Sequence, residues 1–266
     1  MVKKILSITI CVAVLLFIYA PILLLVVYSF TDSNVIGKWD GFSFDLYVQL
    51  FRDAEIMQIL FNTIWLALAA ALLSTVLGTA GAIGIFYSKR KFAKPLQAVS
   101  QIPVINAEIV TAISLALLFS AVFLYRTYLS LIVGHMVLCT PFVVLSVMPK
   151  LKQMDPNIYE AALDLGASPS AALFKVVIPQ IFSGIVSGFM LSITLSLDDY
   201  IVTAFTKPPM FDTISTYVYN AVKNGTNSST PALRALSALI FIVMIAVLLA
   251  INLRARRPAA KREAAQ

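Results

Sequence analysis

Six long apolar runs constrain what this chain can fold into more than any other feature. They cover residues 5–30, 59–87, 96–125, 127–148, 176–206 and 235–253. A helix of roughly 20 apolar residues crosses a hydrocarbon core of about 30 Å. With 60% hydrophobic residues and a mean hydropathy of +0.90, the 266-residue chain has more apolar surface than a soluble domain buries. The sequence therefore predicts an all-α, polytopic membrane protein with six transmembrane helices in one domain, residues 1–266.

The first run follows Lys3 and Lys4, as the apolar core of a secretory signal would. It is longer than the 7–15 residues of such a core, and no small-residue cleavage pattern follows it. We expect a retained span. Cys11 and Cys139 both fall inside apolar runs, which favours small buried side chains over a disulfide.

The basic residues set the predicted orientation. With a cytoplasmic N-terminus, 14 of the 20 Lys and Arg residues lie inside, which satisfies the positive-inside rule. Both termini are then cytoplasmic, with a cytoplasmic connection at 149–175 and a basic tail at 254–266 beside anionic lipid headgroups. Because the net charge of +7 is dispersed among membrane flanks, we expect lipid contact and no nucleic-acid partner.

The cytoplasmic region contains clear helix signals. Asp155 is a good N-cap, Pro156 suits the first helical position, and Gly166 is the expected residue after the helix end. Ser168 and Pro169 then start a second helix. The prediction is a short helix of about ten residues, roughly 15 Å long, a glycine corner, and a helix that continues into the fifth span. Its small residues would let a partner backbone approach closely.

The same stretch resembles the EAA signature of bacterial ABC-importer permeases, Glu-Ala-Ala-x3-Gly-x9-Ile-x-Leu-Pro. The matching residues are Glu160, Ala161, Ala162, Gly166, Val176, Ile178 and Pro179, with Val and Ile replacing the family's Ile and Leu. The resemblance implies the type I ABC-importer permease architecture. It also implies that the helix carrying Glu160, Ala161, Ala162 and Gly166 docks into an ATPase subunit and couples its motion to the membrane.

Three further stretches, "YSFTDS" (28–33), "SLDDYIVTAFT" (196–206) and "TISTYVYNAVKNG" (213–225), resemble the spermidine/putrescine importer permeases, in particular their C-type subunit. That resemblance implies inward polyamine transport across a bacterial inner membrane. The implied partners are a second, homologous permease, a dimer of ATPase subunits and a periplasmic polyamine-binding protein. The chain lacks a Gly-x4-Gly-Lys-Ser/Thr phosphate loop. We expect no enzyme activity and no cofactor or metal in this chain, with ATP and Mg on the partner ATPase.

Three acids lie within predicted spans: Glu108, Asp198 and Asp199. An ionised group at membrane depth costs roughly 2.5–3.5 kcal/mol on insertion scales, so it usually faces a partner or a wet path. Pro103 and Asn106 precede Glu108 and are suited to opening its helix near mid-depth. We favour a role in the substrate path over a structural role.

Asp198 and Asp199 lie near the outer rim if span five is straight, and deeper if it breaks, for instance around Ser192–Ser196. Adjacent helical residues point about 100° apart, so we expect one acid to line the path and the other to cap a helix or lie at the interface. Ser196, Tyr200 and outer-loop Trp39 are further candidates for contact with a cation. For His135, a buried, hydrogen-bonded packing role is favoured over a ligand or relay role.

Other classes remain open from the residues alone. A homomeric cation channel would use the three acids as a selectivity ring, but it gives no reason for the capped helix at Asp155–Gly166. A membrane scaffold gives no reason for the acids. Permeases for other small substrates share the general layout. The sequence therefore supports the transporter class more strongly than it supports polyamines as the substrate.

Overall fold

The structure is a computed structural model that describes residues 2–31, 33, 38–155, 157–224, 233–242 and 245. Over these residues the chain is helical, as predicted, and the only extended pairing is an isolated bridge between Thr31 and Phe42. The helices are α1 Val2–Tyr28, α2 Asp45–Arg52, α3 Ala54–Tyr87, α4 Arg90–Ser100, α5 Ile102–Ile105, α6 Glu108–Ala121, α7 Tyr128–Gln153, α8 Asn157–Asp164, α9 Pro169–Ala172, α10 Ile178–Asp198, α11 Ile201–Thr206, α12 Ile214–Asn224 and α13 Leu233–Ile242.

Four helical segments are long and apolar enough to cross a membrane by themselves. They are Leu6–Tyr28, Ala54–Tyr87, Tyr128–Gln153 and Pro169–Asp198. The segments Lys91–Ile105 and Glu108–Ala121 make a fifth if the bent pair counts as one span. For the predicted sixth span, 235–253, the structure describes α13 up to Ile242 and Ile245; the rest lies outside the described residues.

The third predicted span, 96–125, is not one continuous helix. Its two halves meet at an angle of 104°, because Asn106 and Ala107 have extended backbone conformations between α5 and α6. The predicted opening near Pro103 and Asn106 is therefore present. Glu108 is the first residue of α6, directly after the bend, and its position near mid-depth stays a prediction.

The long helix of the fifth predicted span, 176–206, starts earlier than expected and ends before α11, the second part of that span. It runs without interruption from Pro169 to Asp198 and includes a π-helical turn at Leu173–Val177. Pro179 lacks an N–H, and its ring would collide with the carbonyl group four residues earlier in a regular α-helix. A wider turn just before Pro179 relieves that collision, which explains how the proline fits in a continuous helix.

The chain divides into two compact units. One is Met1–Met57 with Val218–Gln266, and the other is Gln58–Tyr217. In the first unit, the apolar side chains of α1 are largely exposed, as Phe17 is at 84%. After α1, the rings of Phe30, Phe42 and Phe44 pack together. An exposed apolar helix of this length fits a lipid or protein environment.

In the second unit, α7 is the central helix. Its buried face packs against α3 on one side and α10 on the other, in a cluster formed by Ala82, Ile85, Val143, Val144, Val147, Met148, Leu151, Met154, Val177 and Ile181. The helices approach closely at glycines. A Cβ atom at Gly184 would lie 3.0 Å from the Ser146 carbonyl oxygen, and one at Gly188 would lie 3.1 Å from Val143 Cα.

The contact between α3 and α7 yields a stability prediction. A Cβ atom at Gly78 would lie 2.5 Å from Val143 Cβ, so Gly78→Ala forces the two helices apart. We expect a loss of about 1–3 kcal/mol in the free energy of unfolding, as for other overpacked sites. Thermal unfolding of the detergent-solubilised protein measures it. Gly84→Ala is the matched control, because nothing lies within 4 Å of its added Cβ, and helix propensity alone makes it neutral or stabilising by up to about 1 kcal/mol. Equal stability of the two variants would contradict this contact.

Candidate functional site

The break in span five lies at Asp199 and Tyr200, between α10 and α11. Asp199 has an extended backbone (ψ 123°). Its carboxylate accepts hydrogen bonds from the backbone N–H groups of Val202 at 3.1 Å and Thr203 at 2.8 Å. The side chain therefore caps the start of α11 and replaces the helical bonds that the break removes. Asp199 is only 4% exposed, whereas Asp198, the last residue of α10, is exposed.

The break does not lie around Ser192–Ser196, the example given from the sequence. Helix α10 is continuous through that stretch, and two of its hydroxyls bond back to carbonyls of the same helix: Thr194 Oγ1 to the Met190 oxygen at 3.1 Å and Ser187 Oγ to the Ser183 oxygen at 2.8 Å. Such bonds satisfy the hydroxyl within the helix without breaking it. Asp199 differs because its carboxylate binds N–H groups that follow it.

His135 of α7 is fully buried beside this break, as predicted for a hydrogen-bonded packing residue. Its Nδ1 lies 2.8 Å from Ser196 Oγ in α10, and its Nε2 lies 3.0 Å from Thr203 Oγ1 in α11. Nε2 is also 3.5 Å from Asp199 Oδ2. One side chain thus contacts both halves of span five.

The donors and acceptors of this group fix its hydrogen-bond direction. Thr203 Oγ1 lies 2.6 Å from Asp199 Oδ2 and donates its single hydrogen there, because an ionised carboxylate only accepts. Thr203 Oγ1 must then accept from His135 Nε2–H. In a neutral imidazole Nδ1 carries no hydrogen and accepts from Ser196 Oγ, and the hydrogen-bond chain then runs from Ser196 through His135 and Thr203 to Asp199. Ser196, predicted as a path residue, is buried within it at 3% exposure.

Glu108 completes a group of three acids. It is exposed at the start of α6, and its side chain interacts with the Asp199 carboxyl and electrostatically with Asp198. Helix α6 packs against α11, so the bend in span three and the break in span five bring the acids together. The sequence marked each acid separately and contained no signal for their convergence, which depends on the packing of α6 and α11.

The remaining path candidates differ in position. Tyr200 is half-buried in the break itself. Trp39 belongs to the first unit, where it is 49% exposed and its ring packs edge-on against Tyr28 at 6.4 Å. Among the described residues, no three His, Cys, Asp or Glu side chains are grouped so as to hold a metal ion.

The predicted cytoplasmic helix is α8, eight residues long. Asp155 Oδ1 accepts from the Asn157 N–H at 2.9 Å, as expected near a helix start, while Pro156 lies outside the described residues. Gly166 has φ +86°. Its N–H donates to the Leu163 oxygen, and the Ala167 N–H to the Ala162 oxygen, which is the Schellman pattern. Ser168 accepts from the Ala171 N–H at 3.3 Å and caps the next helix. The predicted glycine end and serine cap are confirmed.

Helix α8 is attached to the bundle by one face. Ile158 and Tyr159 pack against the cluster around α7, and the Tyr159 ring lies 5.1 Å from that of Tyr87. On the other side Glu160, Ala161 and Gly166 are exposed, and nothing lies within 4 Å of a Cβ atom at Gly166. Leu165 is 89% exposed beside it. Glu160, Ala161 and Gly166 thus form an exposed surface on a helix that is fixed to the bundle, and Ala162 is half-buried beside them.

Residues 74–257 match the family described as the inner membrane component of binding-protein-dependent transport systems. This match covers most of the chain, and the chain belongs to that family, the permease subunits of ABC transporters, which are not enzymes. Membership in a family of transport-system components favours the transporter over the homomeric channel.

Named relatives refine the comparison. The chain is 34% identical over 235 residues to the putrescine transport system permease protein PotI of Escherichia coli K12, covering 84% of this chain and 81% of the relative. It is 30% identical over 241 residues to the spermidine/putrescine permease PotC of Haemophilus influenzae, with 91% and 93% covered. A bacterial alginate ABC transporter, solved in complex with a pentasaccharide-bound periplasmic protein, matches with a TM-score of 0.70 at 19% identity, with 96% and 94% covered. That likeness supports the fold.

Proposed function

We propose that this permease subunit moves polyamines inward through a path lined by Glu108 and Asp198. The observation that carries the proposal is the convergence of three acids at the two helix interruptions. The predicted spans contain no Lys or Arg in their interiors, so the local charge is negative. The relatives named for putrescine and spermidine point to the same class of substrate.

The chemistry of a polyamine explains why acids are needed. Each of its ammonium groups is strongly hydrated, and removing that water in a low-dielectric bundle is costly unless other groups replace it. Glu108 and Asp198 are exposed and available to a cation. At about 4 Å and an effective dielectric of about 20, one carboxylate attracts an ammonium by about 4 kcal/mol. The acids therefore compensate for lost hydration along the path.

The three acids have different proposed roles. Both oxygens of Asp199 already accept hydrogen bonds from α11, so its contribution to the path is long-range charge and the shape of the break. Tyr200 and Trp39 are proposed to contact the cation through their rings, and Ser196 to act within the buried chain that ends at Asp199. Asp198 and Glu108 are proposed as the direct ligands.

The rest of the assembly follows from the family and from α8. We propose that Glu160, Ala161, Ala162 and Gly166 form the surface that docks into an ATPase subunit, which binds ATP and Mg. The full importer would contain a dimer of that ATPase, a second homologous permease and a periplasmic polyamine-binding protein. The positive-inside count supports cytoplasmic termini for the six-span order predicted from the sequence.

Uptake by the complete set of subunits tests the substrate. Proteoliposomes containing both permeases and the ATPase, supplied with the binding protein outside and ATP inside, are expected to accumulate radiolabelled putrescine or spermidine. Uncharged and anionic solutes of similar length serve as controls, because the acids attract neither. ATP-dependent uptake of an anionic solute with no uptake of either polyamine would contradict the proposal.

A further inference from the structure

We propose that His135 is a positioning residue of the substrate path, which holds the two halves of span five so that Asp198 faces the cation. This inference rests on the proposed path through Glu108 and Asp198. His135 is remote in sequence from all three acids, so neither the motif nor the composition marks it for such a role. In the structure it is fully buried. The geometry of the break assigns it that role.

The break needs an external support. Between Asp198 and Ile201 the helix is interrupted: the Asp199 N–H still bonds to the Leu195 oxygen of α10, and the Ala204 N–H already bonds to the Tyr200 oxygen of the next helix. The cap by Asp199 fixes the start of α11 but does not fix the direction of α11 relative to α10. A bond from a third helix to both sides supplies that restraint, and His135 is placed to make it.

The helix that carries His135, α7, also contacts α11 at other positions. One turn toward the start of α7, Ser130 Oγ donates to the Thr206 oxygen at 3.0 Å. At Gly134 the two helices approach so closely that a Cβ atom would lie 2.9 Å from Val202 Cγ1. Three positions on one face of α7 therefore hold α11. Of these three, only His135 also bonds α10.

Fixing α11 also fixes Glu108. Helix α6 packs against α11, and Glu108 is its first residue. Asp198 is the last residue of α10, two residues after Ser196, which His135 holds. The imidazole thus sets the separation of the two exposed acids without touching the cation. Misplacement of a charged group by about 1 Å can lower the rate of a process about a hundredfold.

A double-mutant cycle on uptake distinguishes this role from plain packing. His135→Leu removes both hydrogen bonds, and we expect uptake by the full complex to fall about tenfold or more. Adding Asp198→Asn to His135→Leu should then cause less than about a twofold further loss, because Asp198 is already misplaced and coupled residues are not additive. His135→Gln offers one acceptor and one donor, the pattern assigned to the neutral imidazole, and should restore most of the uptake.

Cys139→Ala is the matched control. Cys139 is also buried in α7, one turn further along, and contacts the Ser192 oxygen in α10 at 3.5 Å. This hydrogen bond reaches α10, the first half of span five, and does not join it to α11, so the loss of uptake from Cys139→Ala should multiply with that from Asp198→Asn. Recovery of the assembled complex with its ATPase is measured for every variant. If His135→Leu does not assemble, Ser196→Ala replaces it in the cycle, since it removes the bond from His135 to α10 and leaves the bond to α11.

The outcomes separate the two proposals. Wild-type uptake by both Asp198→Asn and Glu108→Gln would remove the path itself. A second outcome is that those variants are impaired, but the losses of uptake from His135→Leu and Asp198→Asn multiply in the double variant, as those from Cys139→Ala and Asp198→Asn do. That outcome overturns only the positioning role. Failure of His135→Gln to exceed His135→Leu also overturns it.

Discussion

Replacing Asp198 with asparagine is expected to lower polyamine uptake at least about tenfold while the complex with the ATPase still assembles. Asp198 is exposed at the end of α10, so the substitution leaves no buried group without a partner. What it removes is the attraction for an ammonium group, about 4 kcal/mol at close range for an effective dielectric of about 20. Glu108→Gln should act in the same direction, since Glu108 is also exposed beside the break. Initial rates of radiolabelled uptake measure both.

The controls separate charge from shape. Asp198→Glu keeps the charge on a longer side chain and should retain more uptake than Asp198→Asn. Asp45→Asn changes an exposed acid at the start of α2, in the other unit, and should leave uptake unchanged. Capture of substrate by the free binding protein should be the same throughout. If Asp198→Asn and Glu108→Gln both transport at the wild-type rate, the acids are structural, and the polyamine assignment rests on the relatives alone.

Asp199→Asn should behave differently from Asp198→Asn. The Asp199 carboxylate is buried and accepts from two backbone N–H groups and one hydroxyl. An amide has only one acceptor oxygen, so at least one buried donor loses its partner at a cost of about 1–3 kcal/mol. Lower recovery of folded complex is therefore expected along with lower uptake. Neighbouring acids with the same charge thus give distinct phenotypes because their burial differs.

Local signals in the sequence predicted the cytoplasmic region well. Gly166 ends α8 with positive φ, and Ser168 caps the next helix, as predicted. Both features depend on a few adjacent residues and on backbone sterics, which do not change with the rest of the fold. The bend in span three was also indicated locally, because Pro103 and Asn106 disfavour a continuous helix. Its angle of 104° was not, since the angle depends on what α6 packs against.

The site itself could be predicted only in part. The three acids stood out because charge is rare in apolar runs, but their convergence requires α6 to pack on α11, which no local pattern encodes. The position of the break in span five was missed for a related reason. Serine hydroxyls can bond to carbonyls of their own helix without interrupting it, so a polar side chain marks a break only where it caps the N–H groups of a new helix. His135 looked like a packing residue, and its two partners become visible only in three dimensions.

Replacing Gly166 with tryptophan is expected to detach the ATPase and abolish uptake while the membrane bundle remains folded. Gly166 has φ +86°, where residues with a side chain are strained, and it ends the exposed surface of α8. Among the described residues nothing lies within 4 Å of an added Cβ atom, so the indole meets none of them at the point of attachment. Its bulk instead occupies the side on which a partner would dock. Co-purification of the ATPase and ATP-dependent uptake are the measurements.

Strain and docking are separated by two matched variants. Gly41 also has positive φ, at +118°, with nothing within 4 Å of an added Cβ, but it lies in the predicted outer loop. Gly41→Trp therefore repeats the strain and the bulk on the opposite side of the membrane, and should retain the ATPase. Gly166→Asn places a small side chain that tolerates the left-handed conformation, and should keep more ATPase than Gly166→Trp. Glu160→Lys reverses an exposed charge on the same surface and should weaken association without affecting the fold. Normal ATPase recovery and uptake in Gly166→Trp would show that α8 is only a connection between two spans, because no partner that grips this surface could accommodate an indole at its centre.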